Sequence, residues 1–310
     1  MAPSASNTGE AAEQHSVSDA DPIRTRIADA VRAVRDTTPL AQSFTNFVTI
    51  NLVANAQLAA GGTAAMSFLA DDLMATARIA GATYVNVGTL LPFYEQALDE
   101  LAHGLAEEGL PWVLDPVAAG IGETRTKILR SFRDVPPTIV RGNASEIIAL
   151  DAMWGLGKDL GDASATKEIK GPAGVESTDE VDSALGAAVR LARHMAAHAP
   201  EGNAAAAVSG AVDLVTDGEH VYRLPGGSAM MTKITGAGCS LGGVTATYLA
   251  VTDPLTAALS ASLLYNRASE TAETRSHGPG SFQVAFLDAL WNTTAEQVAA
   301  STMLTDSATY

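Results

Sequence analysis

Apolar positions along the chain alternate between two periods. The stretch "IRTRIADAVRAVRD", starting at Ile23, spaces its apolar residues three and four apart, the pattern of one buried helix face. "DDLMATARIA" and "LLPFYEQALDELAHGLAEE" repeat that period. "GATYVNVG" and "PWVLDPV" are instead short β-rich runs that end in turn residues, and "PTIVRGN" is a third, followed by the helical "ASEIIALDAM". "DEVDSALGAAVRLARHMAAH" returns to the helical period. "NAAAAVSGAVDLVTDGEHVYRL" reads as strand, strand, an Asp217-Gly218 turn and a further strand, because Asp-Gly between alternating apolar residues favours a tight hairpin. Beyond it the pattern predicts helices over 239–250, 254–275 and 281–299, the last two separated by "HGPGSF".

Strands separated by helices of this length predict an α/β fold: a mostly parallel central sheet with helices on both faces. One domain is expected over residues 22–300. Residues 1–21 are expected to be a disordered tail, 301–310 a C-terminal tail, and 155–177, rich in Gly, Lys and Asp, an exposed loop. Ligands of open parallel sheets bind outside the carboxyl ends of the strands. The polar strand-end residues Asn86, Gly88, Asp115, Arg141, Asn143 and Ser209 are therefore the first candidates for a site.

Composition narrows the chemistry. Apolar residues make up 47% of the chain and aromatics only 5%, so the core is aliphatic and alanine-rich. A net charge of −16 argues against a nucleic-acid partner, which needs a basic face. A single cysteine rules out an internal disulfide and points to a reducing, cytoplasmic setting. No apolar run approaches the roughly 18 residues of a membrane span, and the amino terminus lacks a signal pattern.

Four stretches carry candidate chemistry. In "TGAGCS", Gly236 and Gly238 precede Cys239 at a predicted helix start, where unpaired N–H groups and the helix dipole form an anion cradle. A lone G-x-G equally fits plain close packing. In "RGNASEI", Arg141 ends a strand and can bind phosphate oxygens. Asn143 and Glu146 fit a helix capping box, and Glu146 also fits a site near a magnesium ion. In "WVLDPV", Asp115 suits Mg²⁺ or its waters, or simply starts a turn. "HMAAH" sets His194 and His198 four apart, but with no third ligand nearby they read as surface histidines.

Seven motifs in order, "FTNFVTINLVANAQLAAGGTAAM", "NVGTL", "VLDPVAAG", "RGNASEI", "VSGAVDLVTDG", "MTKITGAGCSL" and "GPGSFQVAFLDALW", resemble the hydroxyethylthiazole kinase family of the ribokinase-like superfamily, from about residue 39 to 292. The resemblance implies ATP- and Mg²⁺-dependent phosphorylation of 4-methyl-5-(2-hydroxyethyl)thiazole, a salvage step toward thiamine, by a homotrimer with sites at subunit boundaries. It implies thiazole contacts at Met66, Gly236 and Asn46 and ATP contacts at Arg141 and Ser209, and it sets the superfamily's Asn-x-x-Glu on Asn143 and Glu146, while the metal-side reading of Asp115 rests on its place at a strand end. Gln42 stands where the family often has histidine. Alternative readings are a kinase of a hydroxymethylpyrimidine and an ADP- or ATP-dependent hydrate dehydratase of the same fold; Cys239, where such dehydratases keep aspartate, disfavours the latter. At a helix start the Cys239 thiol is expected to have a lowered pKa and to act as a weak base toward the substrate hydroxyl, the alternative being a small residue that only packs beneath the substrate.

Overall fold

The computed structural model describes residues 14–157 and 178–307. The loop expected over 155–177 lies outside the described residues except for its first three positions, a turn at the end of a helix. In chain order the elements are β1 (Gln14–Ser16), α1 (Pro22–Thr37), β2 (Leu40–Phe44), α2 (Ile50–Ala59), β3 (Thr63–Met66), α3 (Ala70–Ala77), β4 (Ala82–Asn86), α4 (Tyr94–Glu107), β5 (Trp112–Asp115), α5 (Glu123–Ser131), β6 (Ile139–Asn143), α6 (Ala144–Trp154), α7 (Thr178–His198), β7 (Ala205–Ser209), β8 (Val212–Thr216), β9 (Val221–Pro225), α8 (Ala237–Leu249), α9 (Pro254–Thr274), α10 (Pro279–Asn292), α11 (Ala295–Ala299) and β10 (Leu304–Asp306).

All the strands join one sheet in the order β1-β10-β9-β8-β7-β6-β5-β4-β2-β3. From β3 to β7 the pairs are parallel; β8, β9, β10 and β1 extend the sheet antiparallel. Each face carries a core. Helices α1, α2, α8, α9, α10 and α11 pack on one side and α3 to α7 on the other. The alanine-rich β7 shows why so few aromatics suffice. Ala205 and Ala207 face one core while Ala206 and Val208 face the other, so helices approach the strand closely on both sides.

Local signals place several boundaries. The Asn143 side chain accepts from the Glu146 backbone N–H, and the Glu146 side chain accepts from the Asn143 N–H, which starts α6 with a complete capping box. The Asp217-Gly218 turn joins β8 to β9 as the sequence predicts. The helix expected over 281–299 is broken instead, because Thr294 and Gln297 form a second capping box that starts α11.

The chain ends differ from expectation. Residues 14–16 and 304–306, assigned to tails, pair with each other as β1 and β10 at the sheet edge. Neither triplet has an apolar pattern; side chains elsewhere hold them. The Arg24 guanidinium donates to the carbonyls of Val17 at 2.9 Å, Ser18 at 3.0 Å and Ser301 at 2.9 Å, and also to that of Ala299. Arg223 of β9 donates through Nε to Asp306 at 3.0 Å and also pairs with Asp182 of α7. The Asp306 side chain is only 1% exposed, so its loss leaves a guanidinium short of a buried partner. Asp306→Ala is expected to lower the unfolding free energy by about 3 kcal/mol, read as a lower urea midpoint at unchanged slope.

Candidate active site

The carboxyl ends of β4 to β7 bring most of the candidate residues together. Register sets Asn86 beside Asp115 and Asn143 beside Ser209. The amino-terminal turn of α8 points into the same region. Its cap, Gly236, has φ +90°, and a Cβ there would lie 2.6 Å from Thr49 Cγ2, so only glycine fits this entry to the helix. No side chain caps the turn, which leaves its N–H groups for a ligand.

Arg141 braces the turn from below. The guanidinium is buried, donates to the Gly238 carbonyl at 2.9 Å and also donates to the Ser209 hydroxyl. The two residues assigned to ATP are thus in direct contact. Glu146 is held by two backbone donors, Ala118 N–H to Oε1 at 2.9 Å and Asn143 N–H to Oε2 at 2.9 Å.

On the other side of the cradle runs a buried polar chain. Asn46 Nδ2 donates to Asn86 Oδ1 at 3.1 Å and lies 3.5 Å from Cys239 Sγ. Asn86 Nδ2 donates to Asp115 Oδ2 at 3.1 Å and to Tyr84 Oη at 2.8 Å, and Tyr84 Oη donates to Asp115 Oδ2 at 2.9 Å. A cavity of about 310 Å³ opens beside Gly236, lined among others by Val48, Asn51, Leu52, Ile234, Thr235 and Pro279. A larger one, about 610 Å³, lies at the opposite, amino ends of β4 to β6, beside Trp112 and His198 and away from these groups.

The electrostatics follow from burial. It pushes the Asp115 carboxyl up to about 7, with the Glu146 charge adding to the rise and Arg141, Tyr84 and Asn86 opposing it. Burial also raises Glu146, against its two backbone hydrogen bonds and Arg141. The Cys239 thiol moves opposite to expectation. Burial and the nearby Asp115 charge push it up, outweighing hydrogen bonds from Thr49, Asn86 and Asn46. The helix start does not produce a thiolate here, because desolvation and a like charge act more strongly on this sulfur.

Not every candidate joins the cluster. Met66 is half-buried at the end of β3, the edge strand, opposite Ser43 of β2, and no described contact links it to Cys239 or Asp115. Gln42 is buried and donates to the Leu73 carbonyl at 3.0 Å and to Thr83 Oγ1 at 3.3 Å, facing α3 rather than the site. His194 donates to the Arg133 carbonyl at 2.7 Å and its ring lies 4.5 Å from that of His198, a surface pair. Tyr84 is what the sequence reading missed. Nothing in the motifs singles it out, although period-2 geometry sets it on the same face as Asn86.

Comparison with known proteins decides the family. The model of the hydroxyethylthiazole kinase family matches residues 31–296. The hydroxyethylthiazole kinase of Bifidobacterium longum subsp. infantis is 71% identical over 291 residues, covering 91% of each chain. The chain belongs to the hydroxyethylthiazole kinase family. The enzyme of that name from Bifidobacterium adolescentis is 72% identical over 282 residues, covering 91% of this chain and 95% of its own. The solved structure of the hydroxyethylthiazole kinase from Pyrococcus horikoshii superposes with a TM-score of 0.74 at 30% identity, covering 90% of this chain and 98% of that one. Membership makes the chain a kinase of ribokinase-like architecture, whose reaction is ATP-dependent phosphorylation of hydroxyethylthiazole in thiamine biosynthesis and salvage. Among the described residues no helix is long and apolar enough to cross a membrane.

The raised Asp115 makes stability pH-dependent. The native state keeps a proton on this carboxyl up to about 7, while the unfolded chain releases it near 3.8. Between those values the native state binds more protons, so the unfolding free energy of the ligand-free kinase is expected to fall as pH rises through the window and then level off. Asp115→Asn should flatten that fall, and urea titrations across the window check it.

Proposed function

We propose that the cradle from Gly236 to Cys239 receives the transferred phosphoryl group, with the nucleotide on the Arg141 and Ser209 side and the thiazole alcohol on the Asn46 and Gly236 side. The observation that carries this reading is the uncapped α8 turn, flanked by a buried guanidinium on one side and by the Asn46–Asn86 amides on the other. Phosphoryl transfer passes through a loose transition state with charge spread over the phosphoryl oxygens, so fixed donors aimed at those oxygens supply most of the acceleration. Arg141 orients the nucleotide and holds the α8 turn through the Gly238 carbonyl.

The donor set fits Mg²⁺ carried by the nucleotide. Among the described residues there is no cluster of three or more acidic, histidine or cysteine ligands. Both Glu146 oxygens are held by backbone N–H groups, and no described residue donates to Asp115 Oδ1. Mg²⁺ dehydrates reluctantly and is commonly bound by one or two carboxylates together with phosphates and waters. Asp115 and Glu146 would hold it in this way, and the ion would neutralise charge on the phosphates. Cys239 Sγ lies beside Asn46, the side on which this reading sets the alcohol.

The open β3 edge supports a homotrimer with shared sites. Met66 ends that strand, and Phe47 and Val48, 43% and 65% exposed, follow Asn46 directly. A neighbouring subunit covering this surface would bring Met66 into a thiazole pocket. A chain whose lone thiol forms no internal disulfide and whose co-substrate is ATP suits the cytoplasm.

Two substitutions test the assignment. Arg141→Ala removes a charge-assisted contact to the nucleotide and is expected to weaken ATP binding by about 1.5–3 kcal/mol while changing thiazole affinity little. Calorimetric titration with each ligand reads this, and unchanged ATP affinity overturns the nucleotide side of the assignment. Cys239→Ser is expected to cost less than about tenfold in single-turnover rate, the low end of general-base effects, because the thiol is mostly neutral. Cys239→Asp, with a better proton acceptor, should keep or raise the rate. A serine variant slowed a hundredfold or more would make the thiol itself the base.

A further inference from the structure

Tyr84 is fully buried in the middle of the interior strand β4, and the roles assigned to Asp115, Asn86 and the α8 turn make no use of it. Bulk alone does not explain a tyrosine there. Burying a hydroxyl costs free energy unless it is hydrogen-bonded, and phenylalanine would fill the same space. Among the described residues the buried hydroxyls of Tyr94 and Tyr248 meet no partner, whereas that of Tyr84 has two. Tyr84 Oη, Asn86 Nδ2 and Asp115 Oδ2 form a closed triangle with edges of 2.9, 2.8 and 3.1 Å. Two donors therefore occupy Oδ2 and fix the plane of the carboxylate.

The ring of the same tyrosine touches the cradle helix. A Cβ on Gly242 would come within 2.2 Å of Tyr84 Cε2 and 2.8 Å of its hydroxyl oxygen, so α8 rests directly on the phenol. Gly242 lies about one helical turn beyond Cys239. One side chain thus meets both the acidic group at the end of β5 and the helix that presents the anion cradle.

We propose that Tyr84 is a positioning residue for phosphoryl transfer: with Asn86 it locks Oδ2 of Asp115, presents Oδ1 to the phosphate and metal side, and through Gly242 sets the distance between that carboxylate and the α8 cradle. The proposal rests on the reading of Asp115 given above. Outer partners that orient a metal-side carboxylate typically contribute ten- to a hundredfold in affinity or activity.

The test uses the full chain, with Mg²⁺ titrated calorimetrically into the protein saturated with ADP, beside steady-state kinetics. Tyr84→Phe keeps the ring on Gly242 and removes only the hydroxyl. The expected result is a folded protein by circular dichroism, KM for the thiazole alcohol within about twofold of wild type, and both kcat and Mg²⁺ affinity lower by about tenfold or more. Gly242→Ala keeps the hydroxyl in the sequence but pushes the ring off its seat, and it should lose Mg²⁺ affinity in the same direction. If Tyr84→Phe lowers only the melting temperature, with Mg²⁺ affinity and kcat as in wild type, while Asp115→Asn weakens Mg²⁺ binding, the Tyr84 proposal is overturned and the Asp115 reading stands. If Asp115→Asn binds Mg²⁺ as wild type does, the Asp115 reading is overturned, and the role of Tyr84 goes with it.

Discussion

Asp115 is 3% exposed at the end of β5, and a carboxyl in that position has to be satisfied by whatever surrounds it. The surroundings answer from three directions. Tyr84 and Asn86 of the neighbouring strand donate to one oxygen, and Arg141 of the next strand supplies an opposing charge. Asn86 then extends the network to Asn46, and Asn46 to the sulfur of Cys239. The strand ends are consequently tied by hydrogen bonds as well as by sheet pairing. The same burial that makes these bonds necessary raises the carboxyl to about 7.

The second constraint is the close approach of α8 to the sheet. Glycine at 242 lets the helix sit on the Tyr84 ring, and glycine at 236 admits the left-handed turn against Thr49. An aliphatic, alanine-rich composition serves the same end, because small side chains on β7 and α9 let both helical layers come close. The result is a helix start with free N–H groups held over strand ends that carry charge of both signs. Such an arrangement suits the binding of an anion, and the chain belongs to a family of kinases, the hydroxyethylthiazole kinases.

Cys239 shows how two local rules compete. A helix amino terminus favours a thiolate, and three polar side chains around the sulfur favour it too. Burial and the charge of Asp115 act against it and prevail. The helix field falls off within a turn and is worth about 0.3–1 kcal/mol at ordinary sites, whereas removing an ion from water costs several kcal/mol. The thiol is therefore neutral in the free protein.

Features determined within a few residues were legible in the sequence. The capping box of Asn143 and Glu146, the Asp217-Gly218 hairpin and the alternation of strands and helices all depend on neighbours along the chain. So does the rule that places Asn86, Asp115, Arg141 and Ser209 at strand ends, once the sheet is known to be parallel. Only the tertiary structure decided the rest. The pairing of β1 with β10 joins the two chain ends through Arg24 and Arg223, whose partners lie up to 277 positions away. The contact between Asn46 and Cys239 spans 193 positions, and the seat of Tyr84 on Gly242 joins β4 to α8. Periodicity carries no information about such distant neighbours. The pKa of a buried group is set by just those neighbours, so the sequence named the thiol and the carboxylate but fixed neither charge.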